Sequence, residues 1–142
     1  MRLVELRLRN LRNIEELSFF PADGINVLLG PNGAGKTSIL EGIYLLSHAH
    51  SFRTRRSEFL VKGGSGPLSV FGAVERAGAA ARLGLQWEDK HWLARIDGAT
   101  AQTLSAMLEH CAVVCFDPGA HALVSGASEE RRRFMDWGVF HV

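Results

Sequence analysis

Gly30, Pro31, Asn32, Gly33, Ala34, Gly35, Lys36 and Thr37 follow one another without interruption, and few folds admit such a run. Just before it, residues 25–29 are almost continuously apolar, which predicts a central strand covered on both faces. Just after it, Ile39, Leu40, Ile43 and Leu46 recur at three- and four-residue spacing, which predicts an amphipathic helix from Lys36 to about Ser47. Strand, glycine loop and helix in that order are the setting of the Walker A pattern: a glycine, any four residues, then Gly-Lys-Thr.

Each residue type in that pattern has a physical task. Glycine reaches backbone dihedrals closed to residues with a Cβ, so successive amides can turn inward around phosphate oxygens. The start of the following helix adds unpaired N–H groups and the positive end of its dipole. In this setting Lys36 is expected to reach the β- and γ-phosphates of ATP, and the Thr37 hydroxyl to ligate the Mg2+ that bridges them. With Ser38, the expected ATP-binding residues are Gly30, Pro31, Asn32, Gly33, Ala34, Gly35, Lys36, Thr37 and Ser38.

Around this unit the pattern is mainly that of strands. Val4, Leu6 and Leu8 alternate with Glu5, Arg7 and Arg9, predicting a first strand with one buried face. A second is expected over 17–20, ended by Pro21 and Gly24. Beyond the polar, basic stretch 51–56 and a Gly-, Ser- and Pro-rich break at 63–67, three alternating segments (68–74, 81–87 and 92–96) predict an antiparallel meander. A helix over 103–109, a buried strand over 113–116 and a helix capped by Ser128, with Glu129 and Glu130 in its positive first turn, complete the expectation. The expected fold is therefore α/β: a P-loop NTPase sheet with an antiparallel β subdomain. Its expected divisions are a strand-loop-helix core at 1–62, the meander at 63–98, and a helix, a strand and the start of a further helical region at 99–142.

Other function classes are narrowed by composition. Sixteen Lys and Arg against fifteen Asp and Glu give a net charge of +1, so a nucleic-acid partner has to be argued from local patches. No apolar run approaches the ~20 residues of a membrane helix, and the amino terminus opens on a strand pattern rather than a cleavable signal. No membrane partner is expected, and the expected compartment is the cytoplasm. Cys111 and Cys115 lie on an apolar segment with no ligand spacing around them and are expected as buried free thiols. His48 and His50, the one close pair of histidines, are accounted for by a surface loop. Trp87, Trp92 and Trp137 are expected as core or interface aromatics.

Hydrolysis of a bound triphosphate needs an acid at the end of a second buried strand. Residues 113–116 followed by Asp117 have that outline, but Pro118 and Gly119 come next and no second acid stands beside Asp117. The same residues also read as a core strand ending in an Asp-Pro turn.

Residues 28–46, preceded by Leu11, Arg12 and Asn13, resemble the ATPase heads of the ABC and SMC class. Two further elements narrow the resemblance to the RecF family of bacterial recombination-repair proteins. One is His50-Ser51-Phe52-Arg53-Thr54 after the first helix; the other runs from Asp117-Pro118 through Leu123-Val124-Ser125-Gly126 to Arg131-Arg132-Arg133-Phe134-Met135-Asp136-Trp137-Gly138. Gly119 stands where an acid is common in that family, and Ser128 near where proline is usual. The resemblance spans nearly the whole chain. It implies an N-terminal portion of an ABC-type head whose C-terminal half, with the signature and the metal-binding acid, lies outside these 142 residues. Asp117 is then not the metal acid, no catalytic residue is expected within the chain, and little hydrolysis is expected from it alone.

The resemblance further implies a DNA-binding ATPase that forms an ATP-dependent homodimer and acts with RecO and RecR at gapped single- and double-stranded DNA to load recombinase. Arg53, Arg55 and Arg56 are a candidate phosphate-contacting cluster. Arg131, Arg132 and Arg133 read better as a solvated helix face paired with Glu129 and Glu130. Arg12 and Asn13 lie on a turn that approaches the nucleotide in such heads, although an ordinary turn asparagine explains Asn13 as well. The alternatives are another SMC-like or ABC-type head, or a P-loop kinase that uses Asp117 as its metal acid.

Overall fold

The alternating N-terminal stretch forms β1 (Arg2–Leu11), which turns at once into β2 (Ile14–Phe19) through a two-residue loop of Arg12 and Asn13. The computed structural model describes residues 1–64, 66–76, 78–116 and 128–140. After the glycine loop come α1 (Lys36–His48) and two short 3-10 turns, Ser57–Leu60 and Lys62–Gly64. The meander follows as β3 (Leu68–Arg76), β4 (Ala79–Glu88) and β5 (His91–Ile96), closed by the two-residue β6 (Ala99–Thr100). The chain continues through α2 (Ala106–His110) and α3 (Ser128–Phe140).

All six strands lie in one antiparallel sheet of order β2-β1-β3-β4-β5-β6. The meander is thus continuous with the N-terminal hairpin, because β1 pairs with β3 from Arg2↔Glu75 to Arg9↔Ser69. Its tight turns follow backbone handedness. Asp89 and Lys90 between β4 and β5 have φ 50° and 64°, and Asp97 and Gly98 between β5 and β6 have φ 50° and 86°. Two successive residues of positive φ match the twist of the flanking strands.

One face of the sheet carries the core. Leu6 and Leu8 of β1, Leu68, Val70 and Val74 of β3, Leu83 and Leu85 of β4 and Ala94 of β5 are buried together with Leu45 and Leu46 of α1. The helix comes close because two glycines allow it. A Cβ at Gly42 would lie 2.5 Å from Leu8 Cδ2, and one at Gly72 would lie 2.4 Å from Leu46 Cδ1. This approach turns α1 away from its expected register. Its buried residues are Ser38, Glu41, Gly42, Leu45, Leu46 and Ser47, while Leu40 is half exposed and Ile39 and Ile43 pack at the margin.

Two expected strands do not form. Residues 25–29 carry no strand pairing, and Ile25, Val27 and Leu29 are 93%, 71% and 87% exposed. A run apolar on both faces needs a neighbour on each side, and among the described residues no strand lies beside it. Residues 113–116 likewise run without a ladder, held at one end by a hydrogen bond from the Val113 N–H to Ser47 Oγ (3.2 Å), with Phe116 exposed. Asp117 and the segment through residue 127 lie outside the described residues.

The remaining expectations fall close to place. The helix expected over 103–109 is the shorter α2, and Ser128 is itself helical in α3, the residue before it lying outside the described set. On α3, Arg132 and Glu129 sit one turn apart at 4.0 Å, an exposed ion pair of the kind expected for a solvated face; the side chains of Glu130, Arg133 and Trp137 are outside the described set. Trp87 and Trp92 pack ring to ring at 5.1 Å, and the Trp92 indole donates to Ser57 Oγ. Cys111 is buried, and burial pushes its thiol up to about 11, so it stays neutral in the core; Cys115 is only partly covered. Among the described residues no helix is long and apolar enough to cross a membrane.

Gly42 gives a test of the packing in which the sign decides. Helix propensity alone favours Gly42→Ala by about 1 kcal/mol, whereas overpacking against the buried Leu8 side chain costs about 1–3 kcal/mol. Denaturant unfolding of Gly42→Ala is expected to show a net loss of stability; a gain would mean that the helix does not sit where Leu8 places it.

Candidate functional site

Of the residues expected to hold phosphate, the structure gathers 30–38 into one loop and the first turn of α1. Gly33 and Gly35 have φ 82° and 91°, in the left-handed region that favours glycine. Open space surrounds the Cβ position of Gly33, while that of Gly35 meets Ile14 and Asn13 at 3.4–3.5 Å. Gly35 is also the N-cap of α1, and no side chain caps the helix there, so the first amides of α1 open on the loop. Lys36 Nζ donates to the Gly30 and Pro31 carbonyls, both at 2.7 Å, which holds the ammonium across the loop. Thr37 is exposed beside it.

Asn13 braces the loop from the sheet side. Its Nδ2 donates to the Gly33 carbonyl at 2.6 Å, and its Oδ1 accepts from the buried Ser38 hydroxyl at 3.0 Å. Asn13 therefore touches both ends of the turn between Gly33 and the helix. The Ser38 hydroxyl is engaged by Asn13, and Thr37 offers the exposed hydroxyl.

Arg12, its neighbour, goes elsewhere. Its Nε and Nη2 grip the two oxygens of Glu41 at 2.9 and 2.7 Å, and Nη1 donates to the Phe59 carbonyl at 2.9 Å. Its backbone N–H donates to the Leu60 carbonyl at 2.6 Å. Hydrogen bonding to Glu41 raises the guanidinium above its usual range; desolvation opposes this and the carboxylate's charge adds to it. Arg12 and Asn13 are thus both structural braces, with only Asn13 on the loop itself.

The basic stretch is anchored to the same carboxylate. The Ser51 hydroxyl donates to Glu41, and Ser51 Oγ accepts from the N–H groups of Arg53 (2.9 Å) and Thr54 (3.2 Å). The Arg53 guanidinium reaches Glu41 at 3.7 Å while about half exposed. Arg55 and Arg56 are exposed, with Arg56 over the Phe59 ring at 5.6 Å. His48 closes α1 and does not lie in a loop; its ring stacks on Tyr44 at 3.9 Å, His50 stacks at 5.6 Å, and Phe52 meets Tyr44 edge-on at 5.3 Å.

Glu41 and Ser51 were missed as site residues in the sequence. A signal was present: Glu41 lies three residues after Ser38 and four before Leu45, on the helix face that also carries Gly42.

A family model described as an AAA domain matches residues 5–58. DNA replication and repair protein RecF of Xanthomonas oryzae pv. oryzae (strain MAFF 311018) is 41% identical over a 147-residue alignment that covers all of this chain and 41% of the relative. RecF of Stenotrophomonas maltophilia (strain R551-3) is 42% identical, again over the whole chain and 40% of the relative. The chain thus spans about two fifths of the length of the curated relatives it matches. Among solved structures, a RecF-ATP structure described as a recombination mediator of the RecFOR pathway superposes with a TM-score of 0.88 at 26% identity, covering 95% of this chain and 38% of that one. The SMC head domain from Thermotoga maritima superposes with a TM-score of 0.65 at 17% identity over 77% of this chain and 41% of that one, a likeness of fold. The fold is that of the P-loop ATPase heads, represented here by part of its length.

Removing the brace tests the geometry. Asn13→Ala leaves the Ser38 hydroxyl buried without its acceptor, which costs about 1–3 kcal/mol. Chemical denaturation is expected to show a loss in that range, and unchanged stability would mean that Asn13 does not hold the loop.

Proposed function

We propose, from a chain that is a homologue of the RecF proteins along its whole length, that it is the nucleotide-holding part of an ATP-binding DNA replication and repair protein. The observation that carries the reading is the loop: left-handed glycines, an uncapped helix start and the Lys36 ammonium converge within a few residues. Residues 30–38 would hold ATP, with backbone N–H groups and Lys36 on the phosphates. Thr37, the exposed hydroxyl, is the residue that would ligate Mg2+. Bound Mg2+ would neutralise charge building on the phosphate oxygens.

The wider role is a proposal at the level of the whole protein. By its kinship, that protein binds gapped DNA in an ATP-dependent manner, forms a homodimer when ATP is present, and acts in the cytoplasm with RecO and RecR to load recombinase. Arg53, Arg55 and Arg56 are the proposed phosphate contacts; Arg55 and Arg56 are exposed on the segment next to the loop's braces, which supports them. The divisions at 62 and 98 are proposed as functional boundaries only, since the strands on either side of 62 share a sheet.

Lys36→Ala tests the reading. A charge-assisted contact of about 1.5–3 kcal/mol corresponds to about tenfold to 150-fold in affinity. Equilibrium binding of labelled ATP is expected to weaken by that factor while the thermal unfolding profile stays in place; parental affinity in the variant would remove the loop from the ATP site.

A further inference from the structure

Arg12 and Asn13 are consecutive residues, yet they hold different things. Asn13 bonds Gly33 and Ser38 of the phosphate loop. Arg12 bonds Glu41 and the Phe59 carbonyl. Glu41 is fully buried, and both its oxygens are engaged by Arg12. Oε1, the oxygen that Arg12 Nη2 bonds, also accepts from the Ser51 hydroxyl, whose own oxygen fixes the N–H groups of Arg53 and Thr54. A short chain of contacts therefore runs from Gly33 to Asn13, across the peptide bond to Arg12, and on to Glu41, which reaches the first arginine of the basic segment both through Ser51 and directly at 3.7 Å.

Such a path is costly to build for stability alone. A buried carboxylate gives up its hydration, and an apolar side chain of similar volume at position 41 would serve the helix-sheet contact as well or better; a buried ion pair is better attested as a device that fixes register between parts. The parts fixed here are a ligand loop and an exposed cationic segment. The residues that join them lie on a hairpin loop where Arg12 takes φ 57°, a conformation that a β-strand end reaches only at some cost.

We propose that Glu41 is a positioning residue that couples the phosphate loop to residues 51–56, so that nucleotide in the loop sets the affinity of Arg53, Arg55 and Arg56 for the DNA backbone. This rests on the reading of the preceding subsection, in which the loop binds ATP and the arginines meet phosphate. By linkage the coupling is reciprocal, and DNA bound at the arginines tightens ATP by the same factor.

The test uses the intact protein, with duplex DNA affinity read by fluorescence anisotropy with and without a nonhydrolysable ATP analogue, and analogue affinity read with and without DNA. In the parent, the analogue is expected to change DNA affinity by about fivefold to 150-fold, with the same factor in the reverse experiment. Ser51→Ala removes one link and leaves the Arg12–Glu41 pair intact. Its factor is expected to fall toward one, short of complete loss because the Arg53 guanidinium still reaches Glu41, and the factor itself, not either affinity taken alone, is the readout. Ser51→Thr, which keeps the hydroxyl, is expected to restore the factor; a purely structural serine would change stability and leave the factor alone. The proposal is overturned if Ser51→Ala keeps the parental factor, or if the parent binds both ligands and shows no factor at all. A parent that fails to bind ATP or DNA singly would strike the functional reading itself, and this proposal with it.

Discussion

The arrangement around the phosphate loop depends on one buried carboxylate. Glu41 sits on the inner face of α1, and a charge in that position is tolerated only if its partners are close and geometrically matched. The planar fork of Arg12 meets that demand with two hydrogen bonds to opposite oxygens. Losing one partner of a buried pair typically costs about 3–5 kcal/mol, because the other is left uncompensated. The pair therefore fixes where the β1–β2 hairpin stands relative to α1, and with it where Asn13 meets the loop. Gly42, the next residue along the helix, sets the depth of the contact by letting Leu8 pack against bare backbone. Electrostatics and close packing at adjacent positions thus specify the same helix placement.

How much of this is legible in the sequence varies with how local each feature is. The glycine loop is legible because its geometry is encoded within eight consecutive residues, whose conformations only glycine reaches readily. The meander is legible because alternation, followed by Asp89-Lys90 and Asp97-Gly98, carries both the strands and their turns within a few residues. Segment 25–29 reads as a strand from its apolar character, but pairing is a property of what lies beside it, and no described strand does. The buried face of α1 departs from the apolar pattern for a related reason. Counting apolar residues puts Leu40 inside, whereas the structure buries Glu41 and Ser38, polar residues whose partners Arg12 and Asn13 lie on a hairpin more than twenty residues upstream. A buried polar residue is the hardest feature to infer from one sequence, because it becomes acceptable only through a distant partner.

The hairpin that begins the sheet supplies both braces, one to the loop and one to the helix behind it, so the ligand loop rests on ordered elements at both ends. Behind the helix's buried carboxylate, Ser51 holds the N–H groups of Arg53 and Thr54 at the start of the basic segment. The chain that carries this arrangement is similar to RecF proteins along its whole length and superposes on a RecF-ATP structure.

Whether residues 30–38 hold a triphosphate is decided by a crystal structure with a nonhydrolysable ATP analogue and Mg2+. Phosphate oxygens are expected within hydrogen-bonding distance of the backbone N–H groups from Gly33 to Ser38 and of Lys36 Nζ, with Asn13 still bonded to the Gly33 carbonyl. An analogue bound elsewhere, with the loop left in its present hydrogen bonds, would contradict this.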